Sequence, residues 1–87
     1  MTGSDDVIAI EAAEVWPDDV DETVGIVANW FVREGASVTE GNPICELQVE
    51  KVSVDVPAPV SGTLVEITCG EDEEITVEET LGRIESE

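Results

Sequence analysis

Histidine and tyrosine are missing from this 87-residue chain, and phenylalanine, methionine and lysine occur once each. Without histidine, His-assisted nucleophilic catalysis and most transition-metal sites fall away. Only Arg33, Lys51 and Arg83 oppose 22 aspartates and glutamates, giving a formal charge of −19. That field argues against nucleic acid and anionic membranes as partners. No stretch approaches the roughly 20 apolar residues of a membrane-spanning helix, and Met1–Asp6 has no signal-peptide pattern. The expectation is a soluble, cytoplasmic protein. Two cysteines are too few for a disulfide framework: Cys45 reads as a small core residue and Cys69, before Gly70, as part of a turn. The run Glu71–Glu74 lacks the spacing and glycine of a calcium loop and reads as a solvated turn. No metal ligands are expected anywhere.

What is present is a single small domain, 1–87 with its core over about 7–86, that buries only about 60% of its unfolded surface. There is little room for an enclosed active site. So acidic a chain repels itself when compact, and salt screens that repulsion, which points to a salt-adapted host. An acidic docking surface in an ordinary cell is the alternative.

Lys51 stands between two alternating runs, Ile44–Val49 and Val52–Val56, each patterned as a half-buried strand. The intervening pair Glu50-Lys51 is a poor hairpin turn, because Asn-Gly or Asp-Gly accept positive φ more readily. Poor local turn chemistry at a unique lysine suggests a lysine kept for its amine. Its plain alternative is a solvated turn residue.

Apolar and glycine positions repeat at an offset of 37: Gly25 with Gly62, Val27 with Leu64, Trp30 with Ile67, Val38 with Ile75, Ile44 with Leu81, and Leu47 with Ile84. Gly35 and Gly70 are 35 apart, which implies a turn differing by two residues. Two copies of one pattern predict two similar β-halves packed into a closed sandwich or barrel. Strands are expected near Val7–Ile10, Gly25–Val32, Ser37–Val38, Ile44–Val49, Val52–Val56, Thr63–Ile67, Ile75–Thr76 and Leu81–Ile84, with no helix. Val54 and Val56 are assigned to the core, and Gly62 to a tight backbone position. Glu11–Thr23 is the longest irregular stretch, a solvated loop unless it lies beside the lysine hairpin, where it would read a partner.

Trp30–Val38, Ile44–Leu47 and Glu50–Leu64, with its Val-Pro-Ala-Pro-Val-Ser-Gly run after the lysine, resemble a lipoyl domain of the biotinyl/lipoyl-carrier family. The resemblance covers roughly residues 7 to 86. It implies an all-β flattened barrel or sandwich of two four-stranded antiparallel sheets with quasi-two-fold symmetry, in agreement with the repeat. It further implies that Lys51 is the amide attachment point for lipoic acid, with Glu50 and Val52 read by a lipoate-attaching enzyme and by a partner dehydrogenase. Lipoyl domains usually read Asp-Lys-Ala where this chain has Glu50-Lys51-Val52; biotin carriers place methionine on both sides.

The domain is then a non-catalytic carrier, a swinging arm moving acyl or aminomethyl groups and reducing equivalents. Its partners are a 2-oxoacid dehydrogenase, an acyltransferase core and dihydrolipoyl dehydrogenase, or the enzymes of glycine cleavage. A biotin carboxyl carrier, with biotin on Lys51, and an unmodified interaction module are the alternatives. The opening Met1 and the lack of an Ala/Pro-rich tail after Glu87 favour a free-standing carrier over a fragment.

Overall fold

Alternation of apolar and polar residues, interrupted by glycines, builds eight strands in the computed structural model: β1 (Val7–Glu11), β2 (Val24–Trp30), β3 (Ser37–Val38), β4 (Pro43–Val49), β5 (Val52–Pro57), β6 (Gly62–Ile67), β7 (Glu74–Thr76) and β8 (Thr80–Ser86). The structure describes residues 6–18 and 20–87; Met1–Asp5 and Asp19 of the acidic loop lie outside it. Every expected strand is present, with ends moved by one or two residues. No α-helix occurs among the described residues, and a single 3-10 turn, Ala12–Glu14, interrupts the irregular stretch after β1.

The strands form two antiparallel four-stranded sheets, ordered β1-β8-β6-β3 and β5-β4-β2-β7. Advancing each strand number by four, cyclically, converts one order into the other. The repeat therefore holds at the level of pairing. In β2 and β4, Val27 faces Leu47 and Trp30 faces Cys45; 37 residues on, Leu64 faces Ile84 and Ile67 faces Gly82. Both strands skip one residue at the same place, Ala28 and Val65, where a bulge bends each strand.

The connections repeat as well. Gly35 N–H donates to Leu64 O and Asp72 N–H to Val27 O, while the Glu34 and Glu71 carboxylates accept from Ile67 N–H and Trp30 N–H. The counterpart of Gly35 (φ 92°) is thus Asp72 (φ 70°), not Gly70. The two turns match in length, and aspartate supplies the left-handed conformation because its short side chain tolerates it. Glu71 is correspondingly more than a solvated turn residue, since its carboxylate satisfies the Trp30 N–H, which lies beyond the stretch of β2 paired with β7.

Between the sheets lies one apolar core with no buried polar or charged residue among those described. It is itself paired: Val27 with Leu64, Leu47 with Ile84, Val38 with Ile75, Ile44 with Leu81, Ile10 with Val56 and Ala12 with Ala58 are all buried. Each large member contributes about 1.5–3 kcal/mol through burial. Cys45 belongs to this core as expected, and so does Cys69, which the sequence placed in a turn. Val54, assigned to the core, is only half-buried because β5 is an edge strand covered on one side. Gly62 meets its predicted backbone constraint: a side chain there would strike the Glu85 carbonyl of β8.

Candidate functional site

β4 and β5 are joined by the tightest possible hairpin, with Val49 paired to Val52 and Glu50-Lys51 as its tip. Glu50 carries φ of 56° and Lys51 does not have positive φ. A positive value at the first central residue alone matches the sign pattern of a II′ turn, whose twist suits the flanking strands. The poor turn chemistry read from the sequence is therefore realised in the backbone. A glutamate occupies a conformation that glycine would take at no cost and that costs another L-residue about 1–2 kcal/mol.

Beneath the tip, Val49 is wholly buried. It lies against Gly25 of β2, where even a Cβ would stand 3.0 Å from Val49 Cγ2 and 3.2 Å from the Trp16 ring. The Trp16 indole N–H donates to Glu22 O at 2.8 Å, which closes the loop on itself. The loop after β1 thus stands beside the lysine hairpin, the arrangement in which it was expected to read a partner. Gln48 Nε2 reaches the Glu50 carbonyl at 3.4 Å. Trp16 and Gly25 were not assigned to the site, because nothing local in the sequence brings residues so far apart together.

Lys51 itself is exposed, as is Glu50, while Val52 is half-buried. Among the described residues the only ion pair is Arg83 with Glu66, at 2.6 Å, and Lys51 takes part in no side-chain hydrogen bond. The amine projects from a rigid ladder with nothing enclosing it. Neither cysteine competes with it as a nucleophile. Burial, reinforced by Cys69 and by the Glu46 and Glu71 carboxylates, pushes the Cys45 thiol up to about 12, and burial together with Glu79 and Glu73 raises that of Cys69. Thiols held protonated in this way are inert.

Among the described residues, then, a primary amine stands exposed and unpaired at the tip of a two-residue hairpin in a doubled β-sandwich. The family model described as "Biotin-requiring enzyme", which covers biotin and lipoyl carriers, matches residues 18–84. The chain belongs to the biotinyl/lipoyl-carrier family. Its fold matches the lipoyl domain of the Azotobacter vinelandii 2-oxoglutarate dehydrogenase complex, with a TM-score of 0.70 and 28% identity over 88% of this chain and 94% of that one.

Similar curated proteins include the succinyltransferase component of the 2-oxoglutarate dehydrogenase complex of Bartonella vinsonii subsp. berkhoffii, 39% identical over 74% of this chain and 16% of that protein. The acetyltransferase component of the pyruvate dehydrogenase complex of Corynebacterium glutamicum is 36% identical over 71% of this chain and 9% of that protein. The branched-chain lipoamide acyltransferase of Bacillus subtilis is 34% identical over 75% and 15%. This carrier-family chain thus spans about one-sixth or less of the length of those relatives. It is a lipoyl domain homologous to acyltransferase components of 2-oxoacid dehydrogenase complexes.

Proposed function

We propose that Lys51 carries lipoic acid as an amide on Nζ and that the domain shuttles acyl groups and reducing equivalents among the enzymes of a 2-oxoacid dehydrogenase complex. The observation behind this reading is the position of the chain's single lysine, exposed at the hairpin tip of a lipoyl fold and unpaired among the described residues. When bound, lipoic acid supplies a disulfide that accepts an acyl group with its own reduction and is afterwards reoxidised by a partner enzyme. The chain's own residues hold the root of the arm. The Val49–Val52 pair, the buried Val49 and the Trp16 ring fix the hairpin, so that only the side chain beyond Cα moves. Free rotation at an exposed tip lets one arm visit several active sites in turn.

Glu50 and Val52 are the residues that a lipoate-attaching enzyme and the dehydrogenase read first, and the adjacent loop through Glu22 extends that surface. The partners in this reading are a lipoate-attaching enzyme, the 2-oxoacid dehydrogenase, the acyltransferase core and dihydrolipoyl dehydrogenase. With neither neighbour of Lys51 a methionine, lipoic acid suits the tip better than biotin. The formal charge of −19 is read as adaptation to a salty, cytoplasmic setting.

Intact mass of the protein from its host, with peptide mapping around Lys51, tests the attachment. A lipoyl increment on Lys51 is expected. A biotin increment redirects the role to carboxylation, and an unmodified chain leaves an interaction module. Lys51→Arg should keep the fold and melting temperature while abolishing acyl transfer in a reconstituted complex; transfer that survives the substitution rules out a carrier.

A further inference from the structure

The sign of charge sets one face of this molecule apart. Two shallow hollows are lined by carboxylates and by no cation, one by Glu11 and Glu14 and the other by Glu22, Glu50 and Glu74. A third, of about 350 Å³, reverses the pattern: Trp30, Phe31, Val32, Arg33 and Ala36 line it, so that it holds a guanidinium and no carboxylate. Arg33 is exposed and takes part in no ion pair or side-chain hydrogen bond among the described residues, where the only ion pair is Arg83 with Glu66. Its neighbour Glu34 is committed elsewhere, accepting from Ile67 N–H at 2.8 Å. With 22 acidic residues against three cations, an arginine left without a carboxylate is the exception on this surface.

The groove is held in shape by the backbone. Phe31 N–H donates to Ile44 O, Gly35 N–H to Leu64 O and Ala36 N–H to Arg33 O, while the Trp30 indole N–H donates to Cys69 O at 2.7 Å. Phe31 is nonetheless 52% exposed, the most open of the large apolar side chains described. Its partner Ile44 lies near the start of β4, six residues before Glu50. At about 3.3 Å per residue, the groove stands roughly 20 Å from the lysine tip, at the other end of the same sheet. Whatever fills it leaves the amine uncovered.

We infer that this groove docks a protein surface of the complex that the carrier serves, one presenting a carboxylate beside an apolar side chain. The inference rests on the carrier reading and adds a second contact, remote from the arm. The Arg33 guanidinium takes the partner's carboxylate in its planar fork of donors, and the partner's apolar group covers Phe31. A small carboxylate is the poorer occupant, because every wall comes from the one stretch Trp30–Ala36 and encloses little, whereas small-molecule sites bury most of their ligand. A second copy is poorer too, since it brings a further formal charge of −19 against the first. Held at this face, the domain keeps its arm free, and the complex gains a raised effective concentration of it.

The test uses the full loaded chain with the purified 2-oxoacid dehydrogenase, acyltransferase core and dihydrolipoyl dehydrogenase, and follows acyl transfer against domain concentration. Arg33→Gln should raise KM for the domain roughly fivefold and Phe31→Ser roughly threefold, with kcat unchanged and with loading of Lys51 by the attaching enzyme unchanged. Arg83→Gln removes the same charge from the other sheet and should alter none of these, which separates the groove from net charge. Melting curves verify that each variant folds. The gap between wild type and Arg33→Gln should narrow toward molar KCl, where screening is strongest. Lys51→Arg, which cannot be loaded, should compete with the wild type for the complex and lose roughly fivefold in potency when Arg33→Gln is added. A loaded, transferring wild type whose two groove variants keep its KM overturns the dock and leaves the carrier standing. Self-association of the wild type that Arg33→Gln abolishes gives the groove to a second copy and equally overturns the partner assigned. A wild type that accepts no lipoate overturns both readings.

Discussion

The two halves of this domain share a backbone but not a surface. Val27 and Leu64, or Leu47 and Ile84, are interchangeable in kind, and Glu34 and Glu71 accept equivalent N–H groups across equivalent bulges. Outside the core the halves part. Asn29 donates to Glu46 at 3.1 Å in one sheet, where the other has the Arg83–Glu66 ion pair at the counterpart positions. Both contacts are exposed and each is worth about 1 kcal/mol or less. The fold accepts either. The largest divergence is at the chain's turning points: Glu50-Lys51 closes β4 to β5, while the counterpart place holds the two chain ends, where Ser86 N–H meets Asp6 O and Glu87 N–H meets Ser61 O. What repeats is what the fold needs, and what fails to repeat marks where the halves do different work.

The two mate glycines give the strongest way to break that comparison. A methyl on Gly62 would strike the Glu85 carbonyl oxygen and come within 2.9 Å of Ser86 Cα, so β8 must move and the β6–β8 ladder with it. A methyl on Gly25 meets Gln48 O at 2.9 Å and then two side chains, Val49 and Trp16, that can turn aside. Gly62→Ala should therefore cost about 3 kcal/mol and Gly25→Ala about 1–2 kcal/mol, measured by urea melts. The order reverses for loading: Gly25→Ala disturbs Trp16 and Val49 under the lysine hairpin, whereas Gly62 opens β6 in the other sheet, paired with Ser86 and Val38. Equal costs, or a larger loading defect for Gly62→Ala, would show that the halves are not mechanically separate.

Salt sharpens the comparison next, because charge is the property both halves share without any pairing. With 22 acidic residues against three cations, and one ion pair among the described residues, repulsion is nearly uncompensated. Raising KCl from dilute buffer to the molar range shortens the screening length from about 10 Å or more to about 3 Å. The melting temperature should rise by several degrees over that range. Indifference to salt would remove the argument for a salt-adapted host and leave the acidity to docking.

Much of this was legible from residues alone, and the failures have physical causes. The offset of 37 is readable because buried side chains in matched strands face the same volume limits. The lysine tip is readable because glutamate is a poor turn former. The bulges at Ala28 and Val65 went unread because one skipped residue shifts the two-residue alternation on one side of each without interrupting the apolar run. Asp72 was overlooked as the left-handed residue because Gly70 nearby had the better intrinsic claim. Glu34 and Glu71 were invisible as caps among so many solvated carboxylates. The pairing of Trp16 with Gly25 and Val49 is set by tertiary packing between strands remote in sequence, and no local pattern announces it.

The smallest effect expected concerns the tip itself. Glu50 holds φ of 56°, a conformation costing an L-residue about 1–2 kcal/mol that glycine avoids. Glycine gives back about 0.4–1 kcal/mol through the greater freedom of its unfolded chain, so Glu50→Gly should stabilise the domain by about 0.5–1 kcal/mol, a rise of roughly 4 °C in Tm. The carboxylate is lost in the same step. If glutamate is retained at a strained position because enzymes read its side chain, the more stable variant should be the poorer substrate for loading. Glu50→Asn separates the two effects, since asparagine tolerates the left-handed region yet carries no charge. A Glu50→Gly domain that melts higher and loads like the wild type would make the strain a neutral accident of the hairpin, and Lys51 alone would then define the tip.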